Sequence, residues 1–217
     1  MTQEIKRKIT RQTLIDKGYE LINTYGYHAI SIDTIIDEVG LTKGAFYYHF
    51  SNKHHFVEAI IQERVSKEIH SNFIEPLNER GNPIFILTDL FHDKLLKDKS
   101  LNQQLGSPLT NFINDLSHEQ NDYGLQLQLK EIFDEWKIAL INFLYRGIEG
   151  GCLNRHIDTE STAEFIIASV EGIRTLKKVT SNEGIFYNYM QQLKNFFDTL
   201  KIPKEELQGN QYYYAAS

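Results

Sequence analysis

Apolar residues recur along this chain with the period of an α-helix. Leu14, Gly18, Leu21, Ile22 and Tyr25 share one face at i, i+4, i+7, i+8 and i+11, and Gly26 is a natural stop. Ser31 can cap a short helix carrying Ile32, Ile35, Ile36 and Val39, which Gly40 ends. Thr42 can cap the next, over Lys43–Phe50, and Ser51 or Asn52 caps a long one from Lys53 to Glu75, closed by Pro76. Residues 78–83 read as a loop, then a helix runs from Pro83 to Asp98. Gly106-Ser-Pro108 breaks the chain before Leu109–Leu116. The stripe Leu125, Leu129, Ile132, Phe133, Trp136, Leu140, Phe143, Leu144 and Gly147 marks an amphipathic helix that Gly150-Gly151 terminates. Ala163–Val179 is apolar over much of its circumference, and Phe186, Met190, Leu193, Phe197 and Leu200 mark the last long helix. Strand-like alternation and internal repeats are missing, so the predicted class is all-α.

One segment carries more than periodicity. Ser31 to Lys53 holds two short helices around the tight turn Gly40-Leu41-Thr42, a helix-turn-helix unit whose second helix can enter a major groove. Phe46 and Phe50, four residues apart, point together into the core, leaving Lys43, Gly44, Tyr47 and Tyr48 on another face. One lysine, two tyrosines and a glycine suit DNA: a cation, hydroxyls that reach phosphate or base edges, and room for close approach. Half-buried packing is the plainer reading of the tyrosines.

Composition bounds the alternatives. At 217 residues with 41% hydrophobic and 24% charged side chains, the chain is expected to fold through most of its length. No stretch approaches the ~18 uninterrupted apolar residues of a membrane span, and the polar, basic start up to Arg11 is no secretory signal, so a cytoplasmic protein is expected. The net charge of −6 sits outside the first 60 residues, where seven Lys/Arg balance seven Asp/Glu. Cys152 stands alone, which excludes an internal disulfide and a cysteine zinc site; paired with His156 it has no third partner to make a nucleophile. His28, His49, His54 and His55 lack ligand spacing. No cofactor, metal or catalytic set is expected, and the protein reads as no enzyme.

The run Gly40, Thr42, Lys43, Gly44, Ala45, Phe46, Tyr47, Tyr48, His49, Phe50, Asn52 and Lys53 resembles the TetR family signature, and Gly26, Ser31 and Ile32 match its upstream part. The resemblance runs to about residue 60. It implies an N-terminal three-helix DNA-binding domain on a larger helical ligand-binding and dimerisation domain. It also implies a homodimer on a palindromic double-stranded operator, acting as a repressor released by a small molecule. Carried over, Tyr47 and His49 contact phosphates, and Lys43, Gly44 and Tyr48 approach base edges. Ser31, Thr42 and Lys53 bind phosphate at helix starts. Arg7, Lys8 and Arg11 form either a groove-reaching arm or a solvated basic segment.

The expected domains are 1–52 for DNA, 53–204 for ligand and dimer, with helix 53–75 joining them, and a tail at 205–217, disordered or docking. Less specifically, Gly106–Asn111, the Gly150-Gly151 break and Glu171–Lys178 resemble one subgroup whose last two long helices dimerise. That places Ile166, Val170, Ile173, Met190, Leu193 and Phe197 at the interface, with Gly172 allowing close approach. An inducer pocket is expected among helices 84–98, 109–116 and 122–148, lined by Phe112, Phe133, Trp136 and Tyr145 with Asn111 and Arg174 as polar handles. The expected ligand is a flat, hydrophobic or aromatic compound, neutral or weakly anionic. A helical ligand carrier or enzyme without DNA binding, and a pure interaction dimer, are the competing readings.

Overall fold

The computed structural model of the chain describes residues 2–97, 106–117, 123–180 and 184–203, so the predicted tail at 205–217 and the helix end at Asp98 lie outside the described residues. Among the described residues the structure is helical, with no β-strand; Leu153 and Lys201 form one antiparallel bridge. The α-helices are α1 (Gln3–Tyr25), α2 (Ile32–Val39), α3 (Lys43–His49), α4 (Lys53–Ile60), the single turn α5 (Ser66–Ile69), α6 (Pro83–His92), α7 (Pro108–Leu116), α8 (Tyr123–Glu149), α9 (Thr159–Lys177) and α10 (Gly184–Thr199). No described helix is long and apolar enough to cross a membrane.

Helix starts follow the predicted caps. The side-chain oxygens of Ser31, Thr42 and Asn52 accept the backbone N–H of Thr34, Ala45 and His55 at 3.0, 3.2 and 2.9 Å. Each satisfies an amide that has no partner within its own helix. Gly40 ends α2 at φ +65°, a conformation that costs other residues. The predicted long helix from Lys53 is continuous to Asn78, but its hydrogen bonding widens to π-type over Ile61–Val65 and His70–Ile74 and tightens to 3-10 over Glu75–Asn78, around Pro76. α1 starts earlier than its apolar stripe does. Thr2 caps it through Ile5 N–H, and residues 3–12 are good helix formers that need no buried face.

The chain divides into two compact units: residues 1–70 with 104–134, and residues 71–103 with 135–217. In the first, Leu14, Ile15, Ile35, Phe46, Phe56 and Ile60 form a core with no exposed surface. A β-carbon at Gly18 would run into the Phe56 ring, so that glycine lets α4 lie close against α1. α7 belongs to this unit. Asp115 accepts the Tyr27 N–H at 2.8 Å, just beyond the end of α1, and Asn111 donates to Asn23 at 2.5 Å.

In the second unit, Ile166, Val170 and Ile173 on α9 and Met190, Leu193 and Phe197 on α10 are buried inside the chain, none more than 7% exposed. This corrects their predicted placement at a dimer face. An amphipathic helix turns its most regular apolar stripe toward its own core, and these six residues are that stripe. The apolar side chains left outside on the same helices are Phe165, Leu176 and Tyr187.

Candidate nucleic-acid interface

α3 is short, and its caps fix its rotation. Thr42 closes the start, Phe50 adopts extended backbone at the end, and between them Phe46 is completely buried. Phe46, Phe50 and Phe56 pack ring on ring at centroid distances of 4.8–5.5 Å. With Phe46 and Phe50 inward, the helix geometry turns Tyr47 and Tyr48 outward, 53% and 58% exposed. Gly44 is exposed beside them, and nothing but the Thr42 hydroxyl would approach a β-carbon there.

The charges around this face are engaged unequally. The Lys43 ammonium meets Asp33 of α2 at 2.9 Å, and that hydrogen bond and charge hold the Lys43 pKa above its usual value. Lys53 donates to the Tyr27 carbonyl at 2.5 Å and lies 4.2 Å over the Tyr27 ring. Its ammonium therefore braces the α1–α2 connection. His49, half-buried, has its pKa lowered by burial and then by the Arg11 and Arg7 cations.

The three basic residues of α1 separate. Arg11 is committed within the unit, paired with Glu63 at 2.6 Å and lying over Phe50. Lys8 meets Glu4, one helical turn earlier, at 3.5 Å and largely exposed. Arg7 lies 4.9 Å over the Tyr48 ring, so a cation from α1 joins the exposed face of α3. The sequence offered no signal for that choice, because Arg7 and Tyr48 are brought together only by packing. Ser31 and Thr42 sit at the starts of α2 and α3 with their hydroxyls used as caps.

The predicted ligand residues fall in both units. Asn111, Phe112 and Phe133 belong to the first unit; Trp136, Tyr145 and Arg174 belong to the second. Asn111 is occupied in joining α7 to α1, and Phe112 is buried core. Tyr145 is exposed, which corrects its assignment as a pocket wall with Trp136. Nine residues are about two and a half helical turns, so the two side chains leave α8 on opposite sides. Trp136 and Arg174 are buried. Two clefts in the second unit, of about 460 and 440 Å³, lie elsewhere: one is lined by Arg80, Phe143, Arg146 and Cys152, the other by Phe85, Ile86 and Lys94.

Comparison with known proteins agrees with this geometry. Residues 14–60 match the family described as "Bacterial regulatory proteins, tetR family". The chain is 25% identical to the uncharacterized HTH-type transcriptional regulator YwcC of Bacillus subtilis, over 89% of this chain and 87% of that protein. It is 26% identical to the HTH-type transcriptional repressor DhaR of a Mycobacterium species, over 81% and 86%. A TetR-family regulator structure from Cytophaga hutchinsonii superposes with a TM-score of 0.79 at 20% identity, covering 91% of this chain and 98% of that one. With its capped helix-turn-helix and the matching segment coinciding, the chain carries the DNA-binding segment of the TetR family of transcriptional regulators.

Proposed function

We propose that the protein represses transcription in the cytoplasm, binding a palindromic operator as a homodimer and leaving it when a small hydrophobic ligand binds. Residues 1–52 read the DNA, residues 53–204 bind the ligand and dimerise, and the helical run from Lys53 joins them. The observation that carries the DNA reading is the outward row Lys43, Gly44, Tyr47 and Tyr48 on a helix whose inward side is completely buried Phe46. An aromatic, cationic face with a glycine at its start fits a groove better than water. Tyr47 and His49 serve phosphates, Lys43, Gly44 and Tyr48 serve base edges, and Ser31, Thr42 and Lys53 brace the backbone contacts. DhaR, a named repressor, supports the direction of control.

For the dimer, the support is the surface left by the core. Phe165, Ala168, Gly172 and Leu176 follow i, i+3, i+7 and i+11 along the exposed side of α9. Gly172 has open space around it, and Phe165 packs 4.5 Å from Phe196 of α10. Two such faces related by a two-fold axis make a self-complementary four-helix contact. For the ligand, the buried Trp136 and Arg174 are the side chains of the second unit we assign to it.

Selection from a randomised duplex pool tests the function. A palindrome should be enriched, bound by two chains. Failure to enrich any sequence removes the regulator reading and leaves that of a helical ligand carrier or enzyme.

A further inference from the structure

We propose that the second unit takes a flat, uncharged ligand bearing a carbonyl oxygen, and that the indole N–H of Trp136 donates to that oxygen. The proposal rests on the ligand reading above and specifies the ligand's chemistry.

Trp136 has no exposed surface, and its Nε1 has no hydrogen-bond partner among the described residues. An indole N–H can only donate, and protein interiors satisfy nearly all such donors. The same unit satisfies another: Tyr189, largely buried, shares a hydrogen bond with Ser169 at 2.9 Å, and burial pushes its pKa up to about 12. The unmet donor at Trp136 is thus a local feature.

Its surroundings are planar. The Trp136 indole stacks on Phe73 at 4.8 Å and 29°, Phe73 on Phe91 at 6.4 Å and 29°, and Phe91 on Phe197 at 6.2 Å and 28°. Rings held nearly parallel favour another flat ring beside them. Charge narrows the class. Arg174, 5% exposed, lies 5.5 Å from the Phe73 centroid and is paired with Glu171 at 3.3 Å. That cation already has its anion, so the stack presents no net charge to hold a carboxylate or an ammonium. An acceptor without charge, on an aromatic frame, answers both the donor and the stack.

The chain has one tryptophan, so its proton–nitrogen correlation spectrum carries one indole signal. The probes are fluorenone and fluorene, alike in shape and differing by the carbonyl. Fluorenone should move the indole proton downfield into the hydrogen-bonded range, and fluorene should not. Trp136→Phe should weaken fluorenone binding about tenfold more than it weakens fluorene binding, the difference being one lost hydrogen bond. An indole signal unmoved at the solubility limit of fluorenone overturns the proposal. So does an equal response to both probes, or equal fluorenone affinity in Trp136→Phe; if that variant does not fold, the wild-type indole shift decides. A chain that binds its selected duplex while the indole stays silent keeps the regulator reading and loses this one. A chain that binds no duplex loses the regulator reading whatever the indole does.

Discussion

Helices α3 and α9 both carry aromatic or aliphatic residues on two faces, and their two faces are unequally marked in the sequence. On α3 the inward pair is Phe46 and Phe50 and the outward pair Tyr47 and Tyr48. The hydroxyls distinguish the outward pair, so subtracting the core leaves a visible binding surface. On α9 the inward residues are Ile166, Val170 and Ile173 and the outward ones Phe165 and Leu176, all equally apolar. Nothing in side-chain chemistry separates those sets, and the more regular stripe was assigned to a partner when it belonged to the core. The contrast teaches an order of reading: a helix's best apolar stripe is its own core, and an interface is sought among the apolar residues that remain.

Substitutions on the two sides of α9 and α10 test that ordering with the largest expected effect. Phe197→Ala, at a site with no exposure, should cost about 3–5 kcal/mol of folding stability, read by chemical denaturation. Phe165→Arg and Leu176→Arg should keep the helical circular dichroism and shift light scattering from dimer to monomer. If Phe197→Ala instead gives a stable monomer, the assignment of the two faces is reversed.

A smaller effect separates bracing from recognition on the DNA-binding side. Asp115→Ala leaves the Tyr27 N–H without its side-chain acceptor and should cost about 1–3 kcal/mol in thermal or denaturant unfolding. An unchanged midpoint would show that water replaces the carboxylate at no cost.

The smallest effect is on pH. Burial, Arg11 and Arg7 hold the free His49 pKa below its ordinary value. In the free protein this stability is present above the unfolded pKa and is lost as pH falls toward the folded one. A phosphate at His49 would raise its pKa, so DNA binding takes up a proton and tightens as pH falls through that window. The gain should stay within about tenfold per unit of pKa difference and disappear in His49→Gln. Affinity that is flat with pH in the wild type would remove His49 from the phosphate contacts.

What the sequence made legible was local. Ser31, Thr42 and Asn52 lie three residues from the amides they cap, and Phe46 and Phe50 are one helical turn apart. What it hid depends on contacts distant in the chain. Asp115 reaches Tyr27 across 88 residues, and Arg11 reaches Glu63 across 52, a pairing that removes Arg11 from the free basic arm. Arg7 and Tyr48 meet through the packing of α1 beside α3. Tyr145 was misplaced for a different reason. It is an aromatic outside the α8 stripe, and grouping it with Trp136 as a pocket wall ignores a helical angle of about half a turn between them. The early part of α1 was missed because an exposed helix leaves no apolar period to read.

The most direct test is duplex affinity against salt for the wild type and the double variant Tyr47→Ala, Lys43→Ala, on the palindrome selected by the wild type. Removing the Lys43 cation from the DNA surface should lower the slope of log affinity against log salt by up to about 0.9 and weaken sequence discrimination, while losing the neutral Tyr47 hydroxyl lowers affinity without changing the slope. Tyr47 and Lys43 are exposed on α3, so the variant should keep the wild-type unfolding midpoint. The predicted result is a shallower slope with discrimination between the palindrome and a scrambled duplex largely gone. Wild-type slope and wild-type discrimination in a folded double variant would contradict α3 as the surface that reads DNA.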